Sequence, residues 1–280
     1  MSLIITLTIN PAVDKSSRVD HIVPEKKLSC EAPKYEPGGG GINVSRALKR
    51  LGTDSTAVFP AAGRTGLRLQ DLLKDEGVAQ RAVETRNETR ENFSVVDISS
   101  NQQYRFGMPG PELYPNEAVQ FLPLIRQMNP QWLVMSGSLA TGLASDFFAE
   151  IAGEMRKHGA KIIVDTSGEA LKNTVDAGVY LLKPNLGELS QLVGAESLDM
   201  ESVADAARDA ALEIVDRIAG LCQCEAGTVL RSGQWLFLVH TDQGHGHVVQ
   251  TFPQMAESQD DPHPGVLENV GQPVRWVTRV

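Results

Sequence analysis

Four consecutive glycines run into a stretch of helical spacing in Pro37-Gly38-Gly39-Gly40-Gly41-Ile42-Asn43-Val44-Ser45-Arg46-Ala47-Leu48. Backbone without Cβ atoms turns freely and lets a ligand approach closely. The helix that follows directs its unpaired N–H groups and the positive end of its dipole to the same place. Asn43 falls in the first helical turn and adds a carboxamide. The pattern suits an anion or a polyol, although glycines ahead of a helix also serve simply as a flexible turn. Further candidates follow segments of strand character. They are Asp14 after residues 2–9, Ser136-Gly137-Ser138 after 132–135, Asp165-Thr166-Ser167-Gly168 at the end of 161–165, and Lys183-Pro184-Asn185-Leu186-Gly187-Glu188 after 180–183. Chemistry on a phosphorylated sugar needs such parts: Asp and Asn fix hydroxyls, Arg, Lys and backbone N–H groups hold phosphate, and carboxylates or waters hold the Mg2+ of a nucleotide. Taken singly, a Ser-Gly-Ser or an Asp-Thr-Ser is as readily a loop, and Lys-Pro-Asn a strand stop.

These positions imply an α/β scaffold. Strands read at 2–9, 55–59, 132–135, 161–165 and 180–183 alternate with helices near 41–51, 63–76, 115–128 and 143–158. Such alternation predicts a mostly parallel sheet with helices on both faces, and ligands then sit outside the carboxyl ends of the strands. Two strand-rich stretches interrupt the rhythm. Residues 15–36 read as short, half-exposed strands carrying Lys15, Arg18, Lys26, Lys27 and Lys34, and residues 88–108 read as a hairpin of 93–98 and 103–106. Each leaves the core from a βα connection, so the two are candidates for a single lid.

The 280 residues, 41% hydrophobic and 22% charged, suffice for one large core or a core plus a smaller domain. A net charge of −9 without any basic stripe argues against a nucleic-acid partner and for small molecules. No apolar stretch approaches the ~18 residues of a membrane span, and the start of the chain lacks the features of a signal peptide. The expected location is cytoplasmic. Three cysteines, Cys30, Cys222 and Cys224, cannot all pair within one chain, which fits a reducing compartment.

In chain order, Thr6-Leu7-Thr8-Ile9-Asn10-Pro11-Ala12-Val13-Asp14, the loop 38–43, Tyr104-Arg105-Phe106-Gly107-Met108-Pro109-Gly110, Ser136-Gly137-Ser138, Val164-Asp165-Thr166-Ser167-Gly168-Glu169-Ala170-Leu171 and Lys183-Pro184-Asn185 with Glu188 resemble the PfkB carbohydrate kinase family over about residues 1–217. Within it the chain is similar to the minor, ribokinase-like 6-phosphofructokinases. The resemblance implies a ribokinase-like α/β core with a small β lid and homodimers that meet through their lids. It also implies a glycolytic step, the Mg2+-dependent transfer of the ATP γ-phosphoryl group to fructose 6-phosphate, giving fructose 1,6-bisphosphate. By position, Asp14, Gly38, Gly39 and Asn43 would hold the sugar, and Lys27, Arg90, Arg105 and Ser138 would surround its phosphate. Lys183, Asn185 and Glu188 would face the nucleotide, with Glu188 serving Mg2+ directly or through water. The 1-phosphofructokinase branch commonly has Lys where this chain has Gly40, which favours fructose 6-phosphate. Relatives usually carry two prolines where this chain has Ala140-Thr141, a change that would loosen the loop without removing a charged contact.

The resemblance stops near residue 217. The family's Gly-Ala-Gly-Asp, whose Asp is its general base, has no counterpart in 218–280, and Asp260 and Asp261 in Ser-Gln-Asp-Asp-Pro-His-Pro lack both the glycines and a following helix. No lysine follows Lys183, and four of the six histidines fall between 240 and 263. A hairpin around Ser232-Gly233 within 228–239, then loop or disorder from 241, is expected, and a change of reading frame near 215–220 would produce such a break. The chain would then turn over poorly. The alternative is a non-catalytic module that binds a sugar phosphate or forms mixed dimers through the lid. A further reading makes Cys222 and Cys224 with His240, His245 and His247 a zinc site, against which the Cys-x-Cys spacing stands. Cys30, in a lid strand, and His158, near a helix C-terminus, read as structural.

Overall fold

A computed structural model describes residues 3–194, 235–240, 245–251 and 274–275, and the chain forms two compact units, Met1–Ala144 and Ser145–Val280. The first unit is built around β1 (Ile4–Leu7), whose Ile5, Thr6 and Leu7 are buried on both faces as a central parallel strand requires, the Thr6 hydroxyl being paired with Ser45 Oγ at 2.8 Å. The chain continues through β2 (Ala12–Val19), β3 (Lys34–Gly38), α1 (Gly40–Arg50), β4 (Thr56–Ala61), α2 (Gly63–Asp75) and β5 (Ala79–Glu84). After these come β6 (Arg90–Asp97), β7 (Gln102–Phe106), α3 (Pro115–Ala118), α4 (Phe121–Met128) and β8 (Trp132–Ser136). Strands β8, β1, β4 and β5 lie side by side in that order, all parallel. Ile42, Leu69 and Leu73 from α1 and α2 close on Ala57 and Phe59 of β4 to form a fully buried core.

The two strand-rich stretches pair into one separate sheet of order β3-β2-β6-β7. Its β2–β6 pairing is parallel and its two outer pairings are antiparallel. Regular strand occupies only 12–19 and 34–38 of the first stretch, so Cys30 is in the intervening connection, exposed, rather than in a strand. Strand β5 has no counterpart in the sequence reading, because its exposed polar positions hide the alternation. The helix expected over 115–128 is two helices, and the second restarts so that Pro123 stands in its first turn, where no N–H is required. Thr141 O accepts from Leu113 N at 2.9 Å, tying down the loop that carries Ala140-Thr141.

In the second unit α5 (Phe147–Lys157), β9 (Lys161–Asp165), α6 (Gly168–Asp176), β10 (Leu181–Leu182) and α7 (Leu186–Val193) continue the alternation. Helix α6 was not expected after the Asp165-Thr166-Ser167-Gly168 loop. Its buried Ala170, Leu171, Thr174 and Val175 recur at helical spacing over only nine residues, a short signal. Strand β11 (Trp235–His240) runs parallel to β10 and antiparallel to β12 (His245–Thr251), which pairs with β13 (Val274–Arg275). Strand β12 thus stands where loop was expected, with β-branched Val248, Val249 and Thr251 supplying strand propensity. The turn expected around Ser232-Gly233, the break near 215–220, Cys222, Cys224, Asp260 and Asp261 lie outside the described residues.

Candidate functional site

The glycine loop sits between β3 and α1 against the C-terminal end of β1. Gly39 holds φ at +123°, a left-handed value that a side chain resists. A Cβ on Gly38 would fall on the Asp14 carboxylate, and one on Gly40 on the Ser136 hydroxyl and the Gly137 peptide. The loop therefore brings Asp14 of β2 and Ser136-Gly137 at the end of β8 into direct contact with one backbone segment. Ile42 N donates to Thr8 Oγ1 and Asn43 N to Gly39 O, each at 2.9 Å, and Gly39, the N-cap residue of α1, has no side chain to cap it. Among the described residues the Gly40 and Gly41 amides have no such acceptor. They form the electropositive end of the helix, suited to an anion or a hydroxyl oxygen.

Asp14 stands directly opposite Asn92 on β6, whose Nδ2 donates to Asp14 Oδ1 at 2.8 Å; Met108 N in turn donates to Asn92 Oδ1 at 3.1 Å. Arg90, two residues earlier on the same strand face, donates from Nη1 to Met108 O at 2.8 Å and from Nη2 to Asn10 O at 3.1 Å. Its Nε is buried without a partner among the described residues, and so is Asn10 Oδ1. Burial pulls the Arg90 pKa below the usual guanidinium value against the opposing charge of Asp14, but arginine remains cationic. Asn10 Nδ2 donates to Ser138 Oγ at 3.1 Å, so the Ser138 hydroxyl keeps its own proton to give an anion.

Asp14, Gly38, Gly39, Arg90 and Ser138 are thus joined by contacts or through Asn10, Asn92 and Met108. Asn43 is exposed in the first turn of α1 and joins them through Arg46, whose Nη1 reaches both Asn43 Oδ1 at 3.2 Å and Pro37 O at 3.0 Å. The two remaining cations are not gathered in. Lys27 is exposed in the β2–β3 connection, and Arg105 is exposed on the outer strand β7, where its Nε donates to Gln103 Oε1 at 3.0 Å. Sequence reasoning missed Asn10, Arg46 and Asn92. Two of them had a signal in spacing: Arg46 is one helical turn beyond Asn43, and Asn92 shares a strand face with Arg90.

In the second unit Lys183 Nζ lies 3.0 Å from Asp165 Oδ1, just beyond the C-terminal ends of β10 and β9. Asn185 caps α7: its side chain accepts from Glu188 N, and Glu188 Oε2 accepts from Asn185 N, both at 2.9 Å. This capping box is a structural role that the Asn-x-x-Glu spacing encodes. It leaves Glu188 Oε1 and the Asn185 amide group for other partners. Among the described residues no three of His, Cys, Asp or Glu gather as a metal-binding group, and the side chains of the proposed zinc set lie outside those residues. His158 ends α5 with Nδ1 3.0 Å from Glu154 O. No described helix is long and apolar enough to cross a membrane.

Residues 3–217 match the model of the pfkB family carbohydrate kinases. The ATP-dependent 6-phosphofructokinase isozyme 2 of Mycobacterium tuberculosis is 44% identical over 217 residues, which are 76% of this chain and 62% of that protein. Its Escherichia coli counterpart is 43% identical over 211 residues, 75% of this chain and 68% of the relative. The matched stretch therefore spans under two thirds of the mycobacterial protein. The crystal structure of E. coli phosphofructokinase-2 in complex with fructose-6-phosphate superposes with a TM-score of 0.75 at 37% identity, covering 90% of this chain and 80% of that one. The fold is accordingly ribokinase-like, with a mostly parallel sheet, and the chain belongs to the pfkB family of carbohydrate kinases.

Proposed function

We propose that this chain binds fructose 6-phosphate on its first unit and is built to phosphorylate it from ATP, as a 6-phosphofructokinase. The observation that carries the reading is the close packing of Gly38 on Asp14 beside the open N-terminus of α1, flanked by Arg90 and Ser138. Asp14 and Asn43 would take the sugar hydroxyls. The Ser138 proton and the Arg90 guanidinium would meet the phosphate, with Lys27 and Arg105 supplied by the loop and outer strand of the lid. A Lys at position 40, common in the 1-phosphofructokinase branch, would have to displace Ser136 here, which supports the 6-phosphate acceptor.

Lys183, Asn185 and Glu188 would serve ATP and Mg2+. Magnesium commonly takes one or two carboxylates and keeps its waters, and the unengaged Glu188 Oε1 suits that mode. The metal would neutralise charge on the transferring phosphoryl group, while this chain's residues orient the acceptor. Residues 218–280 contain no Gly-Ala-Gly-Asp, and loss of a positioned general base costs about 10²- to 10⁴-fold in rate. We therefore expect binding to outlast turnover. Exposed Tyr104, Phe106 and Met108 on the lid support a homodimer through that sheet, in the cytoplasm.

The test is a coupled ADP-release assay with fructose 6-phosphate and Mg-ATP, run beside calorimetric binding of fructose 6-phosphate and beside Asp14→Ala. Binding lost in the variant supports the reading whether turnover is fast or slow. Binding that is absent, or that Asp14→Ala leaves intact, overturns it. Turnover that vanishes in Asp14→Ala would tie the activity to this site, and binding without turnover would make the chain a sugar-phosphate-binding module.

A further inference from the structure

We propose that Arg46 is a positioning residue that sets both the glycine loop and the Asn43 carboxamide for the ligand. The proposal deepens the sugar-phosphate reading above and rests on it for the ligand's identity. Arg46 leaves α1 with only 11% of its side chain exposed. Its Nε and Nη2 form a fork on Glu76 Oε2 and Oε1, both at 2.7 Å, and Nη2 also reaches Glu36 Oε1 at 3.2 Å. Its Nη1 donates to Pro37 O at 3.0 Å and to Asn43 Oδ1 at 3.2 Å. A guanidinium has five N–H donors, and five acceptors meet them. Three of those acceptors belong to two carboxylates, Glu76 and Glu36, which offset the charge. Arg46 therefore has nothing left to offer an anion, and its work is done on the chain.

That work joins three segments at one point. Glu76 is the C-cap of α2, Glu36 and Pro37 lie within the lid strand β3 just before its last residue, Gly38, and Asn43 is in the first turn of α1. Pro37 immediately precedes a run of four glycines, backbone that no Cβ restrains. Holding the Pro37 carbonyl fixes where the run begins, just as Thr8 fixes where it enters the helix. Holding Asn43 Oδ1 settles the orientation of the carboxamide: the oxygen faces Arg46, and Nδ2 keeps its two protons for an acceptor such as a hydroxyl or phosphate oxygen. Lysine cannot substitute, since an ammonium has three donors and no planar fork.

Hydrogen exchange on the ligand-free full chain tests the clamp without any substrate. Arg46→Met, which keeps the aliphatic stem, should speed exchange of the amides of residues 36 and 38–43 about tenfold, while those of β4 change by less than about twofold. Unchanged exchange at 36 and 38–43 would overturn the proposal. Glu76→Gln guards against a variant that fails to fold, since it weakens only the fork and should accelerate the same segment. If it does not, the clamp is overturned as well.

Calorimetry with fructose 6-phosphate then tests the Asn43 arm. Arg46→Met should weaken binding about tenfold in the native background and no more than about twofold in Asn43→Ala, because interacting residues are not additive. Equal losses in both backgrounds would overturn that arm, as a purely structural role predicts. No binding by the unaltered chain, with the exchange effect present, would instead overturn the sugar-phosphate reading and leave the clamp standing.

Discussion

Asn92 Nδ2 donates to Asp14 Oδ1 at 2.8 Å from the facing position of a parallel strand pair. The lid thus orients the carboxylate that touches the glycine loop, and does so from a strand about 78 residues away in sequence. Because Asn92 Oδ1 also accepts from Met108 N, one side chain couples Asp14 to the segment whose carbonyl holds Arg90.

Asn92→Ala should therefore weaken fructose 6-phosphate binding about tenfold, the scale of one hydrogen bond to a charged group, with little change in melting temperature. Calorimetric titration checks it. A dissociation constant within about twofold of the native value would mean that Asp14 is positioned without Asn92.

Gly38→Ala places a methyl group on the Asp14 carboxylate, and Gly40→Ala places one on the Ser136 hydroxyl and the peptide behind it. The first should abolish detectable sugar-phosphate binding while the chain still folds, since Asp14 can swing into solvent. The second meets backbone and should lower stability by about 1–3 kcal/mol. Thermal melts beside binding titrations separate the two outcomes, and equal stability losses in both variants would contradict the assignment.

Arg90→Gln should distinguish the sugar phosphate from the bare sugar. Loss of a charge-assisted contact of about 1.5–3 kcal/mol predicts a roughly 10- to 100-fold weaker affinity for fructose 6-phosphate and none of that effect on fructose. Competition by inorganic phosphate reads the same site. Parallel losses for both sugars would show that Arg90 acts through Asn10 and Met108 alone.

Acid should loosen the lid through Asp97. Its buried carboxylate accepts first from Ile22 N at 2.9 Å and then from Ser99 Oγ at 2.6 Å, with Ser100 N and His21 beside it, and these hold its pKa well below the usual carboxylate range. A carboxyl with a lower pKa folded than unfolded contributes its full stability above about pH 4 and loses it as pH falls from there toward the folded value. Asp97→Asn should be less stable than the native chain at neutral pH, and the gap should narrow on acidification below about pH 4. Melting curves across that range decide the matter: a constant gap would assign the loss to packing.

The chain's own sequence determined the α/β alternation, the family, and the glycine loop with Asp14, Asn43 and Ser138 as ligand candidates, while Arg90 entered only through the family resemblance. These are legible because they rest on local facts: apolar runs bounded by turns, glycines at fixed spacing, and motifs each confined to a few residues. The capping box of Asn185 and Glu188 was equally local, and its spacing carries a structural meaning beside the ligand reading. Only tertiary structure decided the remainder. That Asn92 faces Asp14 depends on the register of two strands, and a slip of one residue would turn the carboxamide to the other face. That Arg46 unites β3, α1 and α2 depends on three elements converging on a guanidinium, which no window along the chain contains. Lys27 and Arg105 show the converse. Their charge is plain in the sequence, but a side chain's charge says nothing of where the backbone carries it, and here both stand apart in solvent.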